Sequence, residues 1–546
     1  MQTSPGGSLS LVERLAIAVV SRRTEWLILI AIVGLGIALR WWSPAMRSDF
    51  WYDEMYSYMI ARQPFAEMMH SLLLGGDANP PLYTFVLHFW LKLGDSDTQA
   101  KLLSLIFGTA AIPAIYLLAK RIGDRGTGLL AALLLATSQA AINYSVEARA
   151  YAIFLCLSLL STYFLLSILG DAAAQARVRF KWFAGYVAVT ALVIYTHWFG
   201  LLLVAVQATA FVIYYRAARR ILGRYILALM AIGVCCLPLT PFLWNQIARR
   251  EAAGGFLWPG RPGLRALYDL AAFLFGGQNL LVLAGVIFVL AYLSQRSKPR
   301  REAHQFKRHL VFCSGYFVLP IAVVFAMSKL LARYSFFVPR YFLPFMGGVL
   351  ILIALALVRI ERRVAIVCAL MFVLFPIVKS VKHWQQPETP YSHLAAMLPT
   401  ELHDNALIVH LSPMSYYPTL HYQQTGAASE KVLWSQGVKI SFPIRINLAG
   451  GLLKPNELIE IDALDDYEEV WVLIDLIDRD RSVQDIEATL RRDRRFSLES
   501  EQRFAGLRLE HFKIGESQAR LSAWKKFMQQ NSGVSKINSK GAGFKN

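Results

Sequence analysis

Cysteine and charge are both scarce in this chain. Only five of its 546 residues are cysteines, and only 17% are Asp, Glu, Lys or Arg. Cys156, Cys235, Cys236, Cys313 and Cys368 all lie in apolar runs, with none in the polar stretch beyond residue 382. That placement excludes a disulfide framework and metal-type spacing, and leaves small buried apolar residues. The shortage of charge excludes an ordinary soluble protein of this length. No internal repeat and no cleavable leader is evident: residues 1–25 are mixed and basic, and the first long apolar run reads as a span. Acidic residues are the scarcer sign, 37 against 56 basic ones, giving a formal net charge of +19. The bases fall in short clusters between apolar runs, which is a membrane topology signal and not a nucleic-acid footprint.

What is present is hydrophobic length. Mean hydropathy is +0.41 and 55% of residues are hydrophobic. Apolar runs long enough to cross about 30 Å of hydrocarbon lie near 25–42, 101–119, 127–143, 151–169, 183–198, 200–215, 225–244, 277–293, 310–329, 341–358 and 364–382. The expectation is an α-helical polytopic membrane protein of about 11 spans. The segment "PPLYTFVLHFWLKLG", 80–94, is apolar but short for a span. If it does not cross, Arg14, Arg22 and Arg23 share one side with Lys120, Arg121 and Arg125, with Arg177, Arg179 and Lys181, and with Arg216, Arg219, Arg220 and Arg224. The bases at 296–308 and Arg359, Arg362 and Arg363 join them. That is the positive-inside pattern, so 80–94 reads as a juxtamembrane helix. The N-terminus is then cytoplasmic, in a bacterial inner (plasma) membrane. Arg249, Arg250, Arg261 and Arg265 in an outer loop are the exception.

The outer face then holds a long loop, 43–99, a short loop around "NYSVEARAY" (143–151), the helix ends "YTHWFG" (195–200) and "VPRYFLP" (338–344), and everything beyond 383. The chain divides into a membrane domain, 1–382, a periplasmic region, 383–515, and a flexible basic tail, 516–546. In the second of these, "ALIVHL", "EVWVLIDL" and "GLRLEHFKI" read as strands and 482–493 as an amphipathic helix, so a small α/β domain is expected.

The first loop carries "SDFWYDEMYSY", with Asp53 and Glu54 just after an apolar run. A carboxylate there can meet a lipid headgroup and a water-borne acceptor together and serve as a general base; a solvated loop end would carry the same residues. Glu147 and Arg149 stand at the mouth of two helices, where ionisable residues face polar cavities. Arg149 could fork onto a phosphate, or pair with Glu147. Arg340, directly before a span, and Arg333 beside it could do the same, or snorkel to headgroups. His197 lies between two closely joined helices, and Asn79 in "NPPLY" can cap a helix.

Taken in order, "WYDEMYSYMIAR", "NPPLY", "LLAKRIGDR", "YSVEARAYAIF", "YTHWFG" and "PRYFLP" resemble the polyprenyl-phosphate-sugar-dependent enzymes of the glycosyltransferase C superfamily. Protein O-mannosyltransferases and the lipid A aminoarabinose transferase are the relatives in view. The resemblance covers most of 25–382 and implies a donor of polyprenyl-phosphate-linked sugar, a lipid, glycan or protein acceptor, and a terminal periplasmic α/β domain. It implies that Asp53 is the general base and that Glu54 orients that base or the acceptor. Some relatives carry Lys or His where this chain has Asn79, and an Asp in the second loop where the nearby acid here is Glu147. Substrate contacts are then expected from Asn79, Glu147, Arg149, His197, Arg340 and Tyr341. The implied reaction is a single inverting displacement needing no metal, though a divalent ion bridging Asp53 and the phosphate is compatible with it. A transporter or flippase would show mid-membrane charges and repeats, and a polysaccharide polymerase or ligase would rely on arginines in a late loop.

The charge pattern makes a direct prediction about topology. Single cysteines introduced at Ser96 and Arg125 should react oppositely with an impermeant thiol reagent in intact spheroplasts. Ser96 should label and Arg125 stay protected; the reverse result overturns the assignment.

Overall fold

The computed structural model describes residues 22–252, 260–295, 300–331, 335–383, 390–397, 406–423, 430–434, 453–476, 481–504 and 507–515. The expected tail at 516–546, Arg14 and Arg333 lie outside these residues, as do the side chains of Arg249 and Arg250. The chain divides into two compact units, Met1–Glu388 and Thr389–Asn546.

The first unit is helical. Its helices are α1 (Arg22–Trp41), α2 (Tyr52–Arg62), α3 (Phe65–Leu73), α4 (Leu82–Trp90), α5 (Asp97–Ile122), α6 (Arg125–Thr137), α7 (Gln139–Ser145) and α8 (Tyr151–Ala173). After these come α9 (Phe180–Thr196), α10 (Phe199–Ile213), the four-residue Tyr215–Ala218, α11 (Leu222–Cys236), α12 (Thr240–Ala252) and α13 (Leu264–Phe275). The series ends with α14 (Gln278–Gln295), α15 (Arg300–Leu330), the 3₁₀ segment Pro339–Phe345, α16 (Met346–Leu357) and α17 (Arg362–His383).

Among the described residues six helical segments are long and apolar enough to cross a membrane, or eight if two bent pairs each count as one span. That count does not confirm the expected eleven. The run at 127–143 is two helices meeting at 61°, and the run at 277–293 joins its predecessor at 79°. The runs at 183–198 and 200–215 are helices of 17 and 15 residues. The reason lies in local chemistry that hydropathy does not see. Ser138 ends α6 and its hydroxyl accepts the Ala141 N–H, capping α7. Gly276 and Gly277 take φ of +91° and +133° at the other bend, a region open to glycine. The segment 80–94 contains a short apolar helix, Leu82–Leu93.

Inside the bundle a buried polar network ties four helices. Gln207 of α10 donates to Ser161 and Thr162 of α8 at 2.9 and 3.1 Å and accepts from Tyr186 of α9 at 3.1 Å. Ser161 bonds Thr190 of α9 at 2.8 Å, and Thr162 bonds Tyr316 of α15 at 3.3 Å. In an apolar solvent such groups hold helices together because their alternative is to go unsatisfied. Gly108 of α5 serves a different purpose: a Cβ there would run into Ser145, so its absence lets the end of α7 settle onto α5. That contact brings the turn 146–150 over the start of the first loop.

The second unit holds a six-stranded sheet, built from β1 (Ala406–His410), β2 (Glu430–Trp434), β3 (Leu458–Glu460), β4 (Glu469–Asp475), β5 (Phe496–Phe504) and β6 (Leu507–Ile514). The order is β3-β2-β1-β4-β6-β5, parallel through β4 and antiparallel at β6 and β5. Strand β1 is buried throughout, as a central parallel strand covered on both faces must be. One face packs on Val483, Ile486 and Leu490 of the helix Arg481–Arg492, and the other on Tyr391 and Leu394 of Pro390–Met397.

The network makes Gln207 a test of how the bundle is held. Gln207→Leu should lower thermal stability in detergent by about 1–2 kcal/mol, from the lost interhelical bonds. An unchanged melting temperature would mean that apolar packing alone holds these helices.

Candidate active site at the helix ends

The site is assembled where the first loop meets the turn before α8. Asp53 and Glu54 sit in the first turn of α2, a favourable place for carboxylates because the orphan N–H groups point at them. The two side chains diverge. Glu54 is buried, and its oxygens accept the N–H of Trp51 at 3.3 Å and of Ala148 at 2.7 Å. Burial raises its carboxyl above the ordinary range, opposed by the Lys101 charge and those two N–H groups. Its contacts are with main chain, and they fasten the second loop to the first. Asp53 instead turns toward the opening, where its Oδ2 pairs with Arg340 Nη2 at 2.8 Å.

The two arginines differ as sharply. Arg149 is 6% exposed. Its Nη1 donates to the Asp53 carbonyl at 3.2 Å and to Ser57 Oγ at 2.5 Å, and stands 3.7 Å from Asp77. Burial alone would lower its pKa, but Asp77 and Asp53 push it well above the ordinary value. Arg340 lies against the rings of Trp51, Tyr151 and Tyr341, at 5.1, 5.9 and 6.0 Å. This is the geometry of a guanidinium held by cation–π contacts as well as by its carboxylate.

Asp77 was not anticipated from the sequence. It is buried, accepts from the Asn79 N–H at 2.9 Å and from Thr84 at 3.3 Å, and faces Arg149. An acid two residues before the N–H it accepts forms an Asx turn, and "DANPP" carried that signal. Asn79 therefore does not cap α4, whose N-cap is Pro81 with no side-chain bond. Its amide leans on Asp77 at 3.4 Å, and Gln246 of α12 grips the carbonyls of Asp77 and Asn79 at 2.8 and 3.4 Å. Lys101 was also missed, being a lone cation in an apolar run. It is 1% exposed and donates to the carbonyls of Ala45 and Ser48 at 2.8 and 2.6 Å.

His197 and Tyr341 form an aromatic wall beside Arg340. His197 accepts the Phe199 N–H on Nδ1 at 3.1 Å, which assigns its ring proton to Nε2 in the neutral form. Its ring stacks on Phe154 at 4.9 Å and meets Tyr341 edge-on at 4.9 Å. Tyr341 in turn stacks on Tyr151 at 6.4 Å. Glu147 lies among these groups with Oε1 buried and without a hydrogen-bond partner among the described residues. Burial, reinforced by the charges of Glu54 and Asp53 against Arg340 and Arg149, raises its carboxyl to about 8. Among the described residues no three His, Cys, Asp or Glu side chains converge as a metal site.

Residues 78–244 match the family model of dolichyl-phosphate-mannose-protein mannosyltransferases. Among solved structures the chain is similar to ArnT from Cupriavidus metallidurans in the apo state, at a TM-score of 0.56 and 15% identity. That match covers 91% of this chain and 99% of ArnT. The same protein bound to undecaprenyl phosphate matches at 0.56 and 14% identity, with coverage of 91% and 99%. An oligosaccharyltransferase from Archaeoglobus fulgidus, solved with zinc and sulfate, aligns at a TM-score of 0.47 and 11% identity over 82% of this chain and 68% of its own. No curated protein matches the chain in sequence.

The raised Glu147 carboxyl has a thermodynamic signature. The folded state holds this proton above the pH at which an unfolded carboxyl releases it, so the stabilisation is complete below about pH 4.5 and is lost as pH rises to about 8. Melting temperature should fall across that window in the wild type and fall less in Glu147→Gln. Parallel pH profiles for the two would show that Glu147 ionises normally.

Proposed function

We propose that the protein transfers a sugar from a polyprenyl-phosphate-linked donor to an acceptor hydroxyl at the outer, periplasmic face of the inner membrane. The observation that carries the reading is the Asp53–Arg340 pair at 2.8 Å, a carboxylate and a guanidinium side by side and both partly open to solvent. A transfer of this kind needs those two groups: one to take the hydroxyl proton, the other to meet the charge on the departing phosphate. The similarity of fold to a protein solved with undecaprenyl phosphate supports the same donor class.

In this scheme the acceptor oxygen attacks the anomeric carbon as Asp53 takes its proton. The bond from that carbon to the phosphate oxygen breaks, and its electron pair leaves with polyprenyl phosphate. One attack inverts the anomeric centre and forms no sugar–enzyme bond. Arg340 binds the phosphate. Arg149, sealed against Asp77 and the Asp53 carbonyl, holds the base in place. Glu54 does the same from the other side through Ala148. Tyr341, Tyr151 and His197 offer aromatic faces to the sugar, and Glu147, protonated near neutral pH, can donate to it or to the phosphate.

Purified protein given a panel of labelled polyprenyl-phosphate sugars should transfer label from at least one. Asp53→Asn should abolish that transfer while the protein stays folded, because an amide cannot accept the proton. Arg340→Ala should slow it by roughly 30- to 1000-fold, the equivalent of about 2–4 kcal/mol for one lost contact to developing charge. Arg340→Lys should fall between, since an ammonium cannot fork onto two oxygens. Near-normal turnover in Asp53→Asn would sink the base assignment.

A further inference from the structure

Resting on that reading, we infer that Asp53 and the donor's phosphate compete for Arg340, so that arrival of the phosphate is what releases the base. The paired Asp53 oxygen already accepts an N–H from Arg340 at 2.8 Å. A carboxylate held in this way offers less to a hydroxyl proton, and a guanidinium held in this way offers less to a phosphate. Each group is thus withheld from its task by the other.

The surroundings allow an exchange at this pair and not at its neighbours. The side chains of Arg340 and Asp53 are 15% and 22% exposed, whereas those of Arg149 and Asp77 are 7% and 4% exposed. An incoming anion can reach the first pair but not the second. Arg340 also has somewhere to go. The faces of Trp51, Tyr151 and Tyr341 surround its guanidinium, and they keep attracting the cation when it swings from the carboxylate to a phosphate. Asp53 has less freedom: it sits in the first turn of α2, with its own carbonyl held by Arg149 and its neighbour Glu54 held by Ala148. The guanidinium therefore moves and the base stays.

The exchange also closes the cycle. Once Asp53 has taken the acceptor's proton it is neutral and no longer competes, so Arg340 stays with the phosphate through bond cleavage. When Asp53 gives its proton to water, the carboxylate recaptures Arg340 and polyprenyl phosphate loses its contact. Without donor, Arg340 engages one Asp53 oxygen, which leaves that oxygen less able to activate water at an empty site. Because coupling is reciprocal, removing the carboxylate must strengthen phosphate binding.

The test is binding of undecaprenyl phosphate to the full chain in phosphatidylcholine nanodiscs, for wild type, Asp53→Asn, Asp53→Ser, Arg340→Ala and the Asp53→Ser/Arg340→Ala double variant. Melting temperatures near wild type confirm that each is folded. The serine variant is included because an asparagine carbonyl can still accept from Arg340. Asp53→Ser should bind at least about fivefold more tightly than wild type, the low end of ordinary coupling, and Asp53→Asn should gain less. Arg340→Ala should bind more weakly, and the double variant should bind no better than Arg340→Ala. Equal or weaker binding by Asp53→Ser overturns the competition. So does a gain that persists without Arg340, which would be simple repulsion between Asp53 and the phosphate. A wild type that binds no undecaprenyl phosphate overturns the donor reading and this inference with it.

Discussion

Two reciprocal hydrogen bonds hold the site together. Glu54 on the first loop accepts the N–H of Ala148 on the second, and Arg149 on the second donates to the carbonyl of Asp53 on the first. Each loop buries an ionisable group that the other helps to satisfy. In a low-dielectric setting an unanswered charge costs several kcal/mol. The direction in which Asp53 points follows from this exchange, as does the depth at which Arg149 sits.

Around that exchange lies a ring of further anchors. Asp77 answers Arg149, Gln246 grips the backbone at Asp77 and Asn79, and Trp198 donates to Gln246 at 2.8 Å. His197 and Trp198 occupy the break between α9 and α10, so that break is tied to the first loop through Gln246. The polar network around Gln207 performs the matching task deeper in the bundle. The charged groups cluster at helix ends, while hydroxyls and amides serve in the interior, where a charge would be far more costly.

Much of this was legible in the sequence, and the part that was not has a physical cause. Asp53, Glu54, Glu147, Arg149 and Arg340 stood out because they lie at helix ends on the face opposite the basic clusters. Their division of labour did not, since which of Asp53 and Glu54 turns inward depends on the Ala148 N–H, a main-chain group 94 residues away. Asp77 was hidden by its context: "GGDANPP" reads as a turn, and only the return of Arg149 makes its acid more than that. Helix count suffered likewise. Hydropathy reports how apolar a run is but not that Ser138 or Gly276–Gly277 bends it. The strands at 406–411, 469–476 and 506–514 were readable because short apolar or alternating runs bounded by polar residues leave few alternatives, and β1, β4 and β6 lie within them.

The buried cations of this site bind main chain as well as side chains. Lys101 binds the carbonyls of Ala45 and Ser48, and Arg149 binds that of Asp53. A carbonyl is present whatever side chain the residue carries. The Lys101 contacts at positions 45 and 48 therefore do not depend on the side chains there, provided the backbone path is kept. Shape is stored here in atoms that every amino acid shares, so two chains can keep the same loop with little likeness in their letters.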